Sequence, residues 1–173
     1  MSPFRIASSA IFLLIVFVFQ ETLVAQIDLP VAGFSLYLFA LIGLISLEDR
    51  SGALILGFLG GLILDLSPST DSPIGQWAFA LTVIGYLLST NKESIGDFTT
   101  RPLAFVLFVA AGVTLSLFFY LAIGLLLGEN NGSISRLVSI VLGNALWTVL
   151  FSPVLLPILP KLRALSLTSR ERI

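Results

Sequence analysis

Side chains that can carry chemistry are scarce in this 173-residue sequence, which contains neither cysteine nor histidine. Their absence excludes disulfides, thiolate metal sites and cysteine nucleophiles, and it removes the side chain most often used for proton transfer near neutral pH. The acids and nucleophiles that remain do not converge in a cluster. We therefore expect no enzymatic activity, no metal site and no cofactor, and the net charge of -1 gives no indication of nucleic-acid binding.

Asp65 is the acid with the most distinctive setting, because it closes the glycine-rich run GFLGGLILD. On a helix, positions four apart lie nearly above one another, so one line passes through Ala53, Gly57, Gly61 and Asp65. Small residues at this spacing, here called the small-residue line, allow a second helix to approach closely in lipid. The line predicts packing within the chain, a docking groove for a separate protein, or both, and packing is the simpler interpretation.

The position of Asp65 at the end of its predicted helix is electrostatically unfavourable, because a carboxylate there faces the negative end of the macrodipole at a cost of roughly 0.3 to 1 kcal/mol. Water at the membrane boundary, hydroxyls of the following loop or a basic group on a partner would each compensate, and solvation is the simplest. In that loop, Pro68 is predicted to start a short turn, and Pro73 to occupy the first turn of the next helix with Ser72 as its cap. Gly75 is placed one turn into that helix, where it would permit close contact with a neighbour.

Composition indicates which elements position these residues. The chain is 57% hydrophobic and 11% charged, with a mean hydropathy of +1.05, values typical of an integral membrane protein. A membrane-spanning helix needs about 20 mostly apolar residues. Six stretches come close: Phe4 to Phe19 (extending toward Leu23), Leu29 to Leu47, Ser51 to Leu66, Pro73 to Ser89, Pro102 to Leu127 and Ile134 to about Leu159. Residues 1–173 are thus predicted to form one all-α domain of six transmembrane helices.

The basic residues predict the orientation, because lysines and arginines concentrate in cytoplasmic loops. With both termini inside, eight of the nine basic residues are cytoplasmic and Arg136 alone lies outside. The short basic tail, residues 161–173, is then cytoplasmic, where it would meet either anionic lipid or a protein. Asn144, at depth in the sixth span, is expected to be a structural residue that bonds another helix of the bundle.

The string GFLGGLILDL, followed by PIG and an apolar helix, resembles the MreD family of bacterial rod-shape-determining membrane proteins. Members of that family are small, have five or six spans, and carry a similar glycine-rich helix, an aspartate and a later glycine. The likeness in size and span pattern covers essentially the whole chain. The positions that match directly are Gly57, Phe58, Gly61, Leu62, Asp65 and Gly75.

The resemblance implies a noncatalytic scaffold of the cell-elongation (rod) complex, in the bacterial cytoplasmic (inner) membrane. Members of the family associate with MreC, a single-span protein with an extracytoplasmic coiled coil, and through it with the peptidoglycan polymerase RodA and its transpeptidase partner. MreB filaments lie on the cytoplasmic side. The family's fold resembles the membrane S-component of energy-coupling-factor transporters, which makes a substrate-binding vitamin transporter subunit the alternative function.

Overall fold

Every regular element that the structure describes is helical. The structure is a computed structural model, and it describes residues 3–26, 33–67, 72–95, 101–129 and 132–155, together with residues 158 and 161. The six α-helices are α1 (Pro3–Thr22), α2 (Leu36–Leu47), α3 (Arg50–Asp65), α4 (Gln76–Ile95), α5 (Pro102–Leu126) and α6 (Ile134–Leu155), and a 3-10 turn (Val24–Gln26) follows α1. The predicted all-α class is confirmed.

Three of these helices are long and apolar enough to cross a membrane: Phe4–Thr22, Pro102–Leu126 and Ile134–Pro153. Continuous apolar segments form helices in lipid because a helix satisfies its backbone hydrogen bonds internally. The helix α2 is apolar but has only 12 residues. The expectation of a membrane protein therefore agrees with the structure, and the count of six spans stays a prediction.

Two of the predicted helices begin later than expected. Residues 33–35 precede α2 rather than forming part of it, because Ser35 is extended and its hydroxyl caps the helix by accepting from the Leu38 N–H. Likewise α4 begins at Gln76 rather than at Pro73. Pro153 lies inside the end of α6, while Pro68, Pro157 and all of the basic tail but Lys161 lie outside the described residues.

The helix α2 lies at the centre of the bundle, where it packs against α1, α3, α4 and α5. Its residues from Tyr37 to Leu47 are all buried. The most extensive pair in the bundle is α3 with α4, and α6 packs chiefly on α5. By contrast, α1 buries Leu13 and presents a broad apolar surface outward. The core of the molecule therefore surrounds α2 and the α3–α4 pair.

A buried ion pair joins α1 to the residue that follows α2. Arg5 donates to the carboxylate of Glu48, and their side chains are only 11% and 3% exposed, respectively. A buried carboxylate needs such a partner because desolvation of an isolated charge is costly. The pair fixes the end of the bundle at which α1 begins and α2 ends.

Candidate functional site

The small-residue line of α3 lies directly against the backbone of α4. A Cβ built on Gly57 would lie 2.5 Å from the Leu81 carbonyl oxygen, and one on Gly61 would lie 2.5 Å from the Trp77 carbonyl oxygen. The contact is reciprocal, since a Cβ on Gly85 of α4 would lie 2.7 Å from the Ala53 carbonyl oxygen of α3. Glycine is needed at these positions because the neighbouring atoms belong to backbone, which does not move aside as a side chain does.

The fourth helix of the same chain therefore covers the small-residue line. Ala53, Gly57, Gly61 and Asp65 are all buried. Gly60 lies on a different face, where a Cβ would meet the end of the Leu41 side chain at 2.5 Å. The line serves packing within the chain, and the surface it would offer to a separate protein is occupied by α4.

Asp65 closes this interface by capping α4. Its Oδ1 accepts a hydrogen bond from the Trp77 N–H at 2.9 Å, and its Oδ2 accepts from the N–H groups of Gly75 and Ala78, each at 3.0 Å. The side chain is buried, with 5% of the residue exposed. Solvation at the membrane boundary, the simplest expectation from the sequence, is therefore wrong.

The electrostatic cost predicted for Asp65 is offset by the same geometry. Although the carboxylate ends α3, it faces the first N–H groups of α4, where the positive end of that helix's macrodipole favours an anion. The predicted roles of Ser72 as cap and Pro73 as first-turn residue are wrong, since both precede α4 and Asp65 binds its N–H groups. Pro73 instead accepts the Gln76 N–H through its carbonyl oxygen at 3.2 Å.

Gly75 is needed for its backbone conformation and not for close packing. Its φ of +101° lies in the region that L side chains rarely adopt, and nothing lies within 4 Å of the place where its Cβ would be. It directly precedes α4 instead of lying one turn inside it. This conformation turns the chain so that the Gly75 N–H points at Asp65.

Two motif residues lie away from the packed interface. Phe58 is 51% exposed, and Leu62 is half-buried. With the half-buried Ile55 they follow a helical spacing along one side of α3. We call these three residues the Phe58 face. The motif is thus divided into residues that build the α3–α4 pair and residues that leave an apolar surface outside it.

A polar cluster lies where α5 ends and α4 begins. The Gln76 amide donates to the Tyr120 carbonyl oxygen at 3.0 Å and to one carboxylate oxygen of Glu129 at 3.5 Å. The Trp77 and Tyr120 rings stack with centroids 4.0 Å apart. We call Gln76, Trp77, Tyr120 and Glu129 the Gln76 cluster. It joins α4 to α5 at the end of the bundle that Asp65 closes.

The first turn of α2 is satisfied by side chains from two other helices. Asn144 of α6 accepts the Ser35 N–H at 2.8 Å, and Gln20 of α1 accepts the Leu36 N–H at 2.8 Å. The Asn144 amide also donates to the Ile140 carbonyl oxygen at 3.3 Å within its own helix. Asn144 thus bonds the segment that leads into α2, which agrees with the structural role expected for it.

Sequence reasoning assigned no role to Gln20, Gln76 or Glu129. Gln20 directly follows the first apolar run, and Gln76 lies in the first turn of the fourth predicted stretch, so a glutamine beside apolar residues was the available signal at both places. Across the described ranges, no group of three or more acidic side chains is arranged to hold a metal ion. Comparison with known protein families, curated proteins and solved structures finds no match to this chain.

Proposed function

We propose that this chain is a noncatalytic membrane scaffold of the MreD type, which binds MreC and helps to organise peptidoglycan synthesis during cell elongation. On this proposal it lies in the bacterial inner membrane with six spans and both termini cytoplasmic, in a fold like that of transporter S-components. RodA, its transpeptidase partner and MreB are indirect partners. The proposal rests on the resemblance of the glycine-rich motif, and the contacts of that motif support it.

The observation that carries the proposal is the division of the motif around Phe58. Gly57, Gly61 and Asp65 are buried against α4, so they make α3 and α4 one stiff unit. Among the residues that match the motif directly, Phe58 is the large side chain that this unit leaves exposed. In lipid, helices associate through van der Waals packing on such preformed surfaces, and the single transmembrane helix of MreC is a partner of the right kind for the Phe58 face.

Substitution of Phe58 by alanine tests the proposal. Phe58→Ala should lower the amount of MreC that copurifies with the chain from native membranes several-fold, while the thermal stability of the purified chain stays close to wild type. Phe79→Ala is the matched control, because Phe79 is 60% exposed on α4 and lies outside the motif. Equal recovery of MreC with wild type and Phe58→Ala would remove the Phe58 face from the proposal.

A double substitution tests the packing half of the motif. Replacing both Gly57 and Gly61 with leucine should abolish the α3–α4 pair, because each side chain would overlap backbone atoms of α4. The variant should be scarce in membranes and fail to support rod shape. If it remained abundant, bound MreC and supported rod shape, the packing role given to the small-residue line would be wrong.

A vitamin retained by purified wild-type protein would instead favour the alternative function, a substrate-binding subunit of a vitamin transporter.

A further inference from the structure

The bundle combines helices of two different lengths. At about 1.5 Å per residue, α3 rises about 22 Å from Arg50 to Asp65, whereas α5 rises about 36 Å from Pro102 to Leu126. The hydrocarbon of an ordinary bilayer is about 30 Å thick. The helix α3 is therefore shorter than the hydrocarbon and α5 is longer, although both contribute to one packed core.

Polar groups mark both ends of α3. Asp49 and Arg50 are exposed where the helix begins. At the other end, the carboxylate of Asp65 is buried, but the connection to α4, SPSTDS, contains a further aspartate and four hydroxyl side chains. Charged side chains and non-helical backbone are costly in hydrocarbon. Both ends of α3 therefore need to reach water or lipid head groups.

The helix α4 does not lengthen the apolar surface on this side of the bundle. It lies alongside α3, with its first N–H groups against Asp65 and with Gly85 against Ala53. After Leu88 its sequence becomes polar, STNKE. The α3–α4 pair is therefore short as a unit.

The side chain of Arg50 does not extend the pair either. Its guanidinium lies over the ring of Tyr86, 4.5 Å from the centroid. Tyr86 directly follows Gly85, which packs against Ala53 inside α3. Arg50 is thus directed along the pair toward its middle, whereas a basic residue that compensates for a short helix extends away from the hydrocarbon.

The contacts of Tyr120 show where α5 passes the end of the α3–α4 pair. Its carbonyl oxygen accepts from Gln76, the first residue of α4, and its ring stacks on that of Trp77. Beyond this level, the six residues LAIGLL extend α5 by about 9 Å to Leu126. None of these side chains is polar, and Leu126 is 87% exposed. The apolar surface of α5 therefore continues past the point where the pair ends.

We infer that this chain thins the bilayer on one side. Phospholipid beside α3 and α4 is compressed to a hydrocarbon thickness of about 22 Å, while phospholipid beside the end of α5 keeps its ordinary thickness. Tilting cannot replace this deformation, because an element about 22 Å long cannot reach both surfaces of a flat layer about 30 Å thick at any angle. Phospholipids with short acyl chains fit the thin side best. This inference requires only that the chain lies in a membrane, so it does not depend on MreC.

Spin labels on the two sides of the bundle test the inference. The chain has no cysteine, so Leu66→Cys, Phe118→Cys and Leu126→Cys each provide one site for a nitroxide, and all three side chains are exposed. Leu66 directly follows α3 and Phe118 lies close to Tyr120, so these two labels have nearly the same height in the protein. Power-saturation EPR with oxygen and a nickel chelate measures their depth in dioleoyl phosphatidylcholine vesicles that contain the full chain.

The three depths distinguish a thinned bilayer from a flat one. The Leu66 and Leu126 labels should both lie at the head-group boundary, and the Phe118 label should lie about 12 Å deeper than the Leu126 label, which is the rise of eight residues. Equal depths for the Leu66 and Phe118 labels would overturn the inference, because the α3–α4 pair would then sink into a flat bilayer. A Leu126 label in bulk water would also overturn it, since the end of α5 would then project from the membrane.

A second label and a thinner bilayer provide the controls. Ile74→Cys repeats the Leu66 measurement across the turn, because Ile74 is exposed just before α4. Each labelled variant should unfold at the wild-type temperature. In thinner dimyristoleoyl phosphatidylcholine vesicles, the Leu66 and Ile74 labels should stay at the head-group boundary, because this bilayer already matches α3. Movement of both labels into bulk water there would show that the pair is longer than inferred and would overturn the thinning.

Discussion

The helices α2 and α4 both begin inside the bundle, but their first N–H groups find hydrogen-bond acceptors in different ways. One carboxylate, that of Asp65, accepts three N–H groups at the start of α4. At the start of α2, three neutral side chains each accept one N–H group: Gln20, Ser35 and Asn144. The cap of α4 is thus a single charged residue that lies close in sequence to its donors. The three side chains at the start of α2, here called the α2 network, are neutral, and two of them come from other helices.

This difference teaches where each helix obtains its stability. Asp65 and its donors are 10 to 13 residues apart in sequence, so α3, the turn and α4 form a unit that can be capped as soon as the turn closes. Asn144 and Ser35 are 109 residues apart. The start of α2 is therefore completed only when α6 has packed into the bundle, and loss of one member leaves the other two in place.

The largest effect is expected from removal of the Asp65 carboxylate. Asp65→Ala should lower the free energy of unfolding by about 3 to 5 kcal/mol, because it leaves buried N–H groups without a charged acceptor. Asp65→Asn should cost less, since the amide keeps one oxygen that accepts. Equilibrium unfolding in detergent micelles measures both changes.

The control for that experiment is a second aspartate at a helix N-terminus. Asp49 precedes α3, is exposed, and makes no side-chain capping bond. Asp49→Ala should therefore cost less than about 1 kcal/mol. Similar losses of unfolding free energy in Asp65→Ala and Asp49→Ala would show that the buried Asp65 cap is no stronger than an exposed aspartate at a helix end.

The next largest effect is expected at the glycines beside α4. Gly61→Ala should destabilise the chain by about 1 to 3 kcal/mol, because its Cβ meets the backbone of Trp77 and Ala78. Gly60→Ala is the matched control, since its Cβ meets the end of the Leu41 side chain and no backbone atom of another helix, and alanine also favours the helix. Thermal unfolding of the two variants in the same detergent compares them, and the interface argument fails if Gly60→Ala is the more damaging.

A smaller effect is expected from each member of the α2 network. Asn144→Ala should cost about 0.6 kcal/mol and at most about 1.7 kcal/mol, the range for interhelical hydrogen bonds in membrane proteins. Gln20→Ala should fall in the same range. Equilibrium unfolding of the two single variants and of the double variant tests whether the two side chains contribute independently to the free energy of unfolding. A loss from Asn144→Ala that equals the loss from Asp65→Ala would remove the contrast between the two helix starts.

The smallest effect on stability is expected at the contact between α2 and the α3–α4 pair. The hydroxyl of Tyr37 in α2 donates to the carbonyl oxygen of Gly60 in α3 at 2.8 Å. Tyr37→Phe keeps the ring, which is fully buried, and should cost at most about 0.6 kcal/mol. Its unfolding should remain a single transition. Separate transitions for the α3–α4 pair and the rest of the chain would show that this contact is what makes the two regions unfold together.

The sequence predicted the helices more successfully than it predicted their contacts. Spacing alone indicated that Gly57, Gly61 and Asp65 share one side of α3, because helical periodicity is a local property. The partner of Asp65 was not predictable in this way. It depends on Gly75, whose positive φ directs the chain back so that α4 starts against the carboxylate.

The Gln76 cluster shows why the rest of the site was not predictable. Gln76 and Glu129 are 53 residues apart, and their contact depends on how α5 packs beside α4. Hydropathy likewise predicted an apolar segment around α2 but placed its start too early, because an apolar pattern does not reveal that Ser35 caps the helix. A contact between distant helices sets the first of these features, and the local Ser35 cap sets the second.

The short, enclosed helix α2 has a consequence for membrane insertion. At about 1.5 Å per residue, its 12 residues extend about 18 Å, which is less than the roughly 30 Å of bilayer hydrocarbon. Its apolar side chains contact protein from Tyr37 to Leu47 and leave almost none of its surface for lipid. Such a segment would be stable in a bilayer only beside the helices that enclose it, so we expect α2 to enter the membrane only after α3, α4 and α5 have been synthesised.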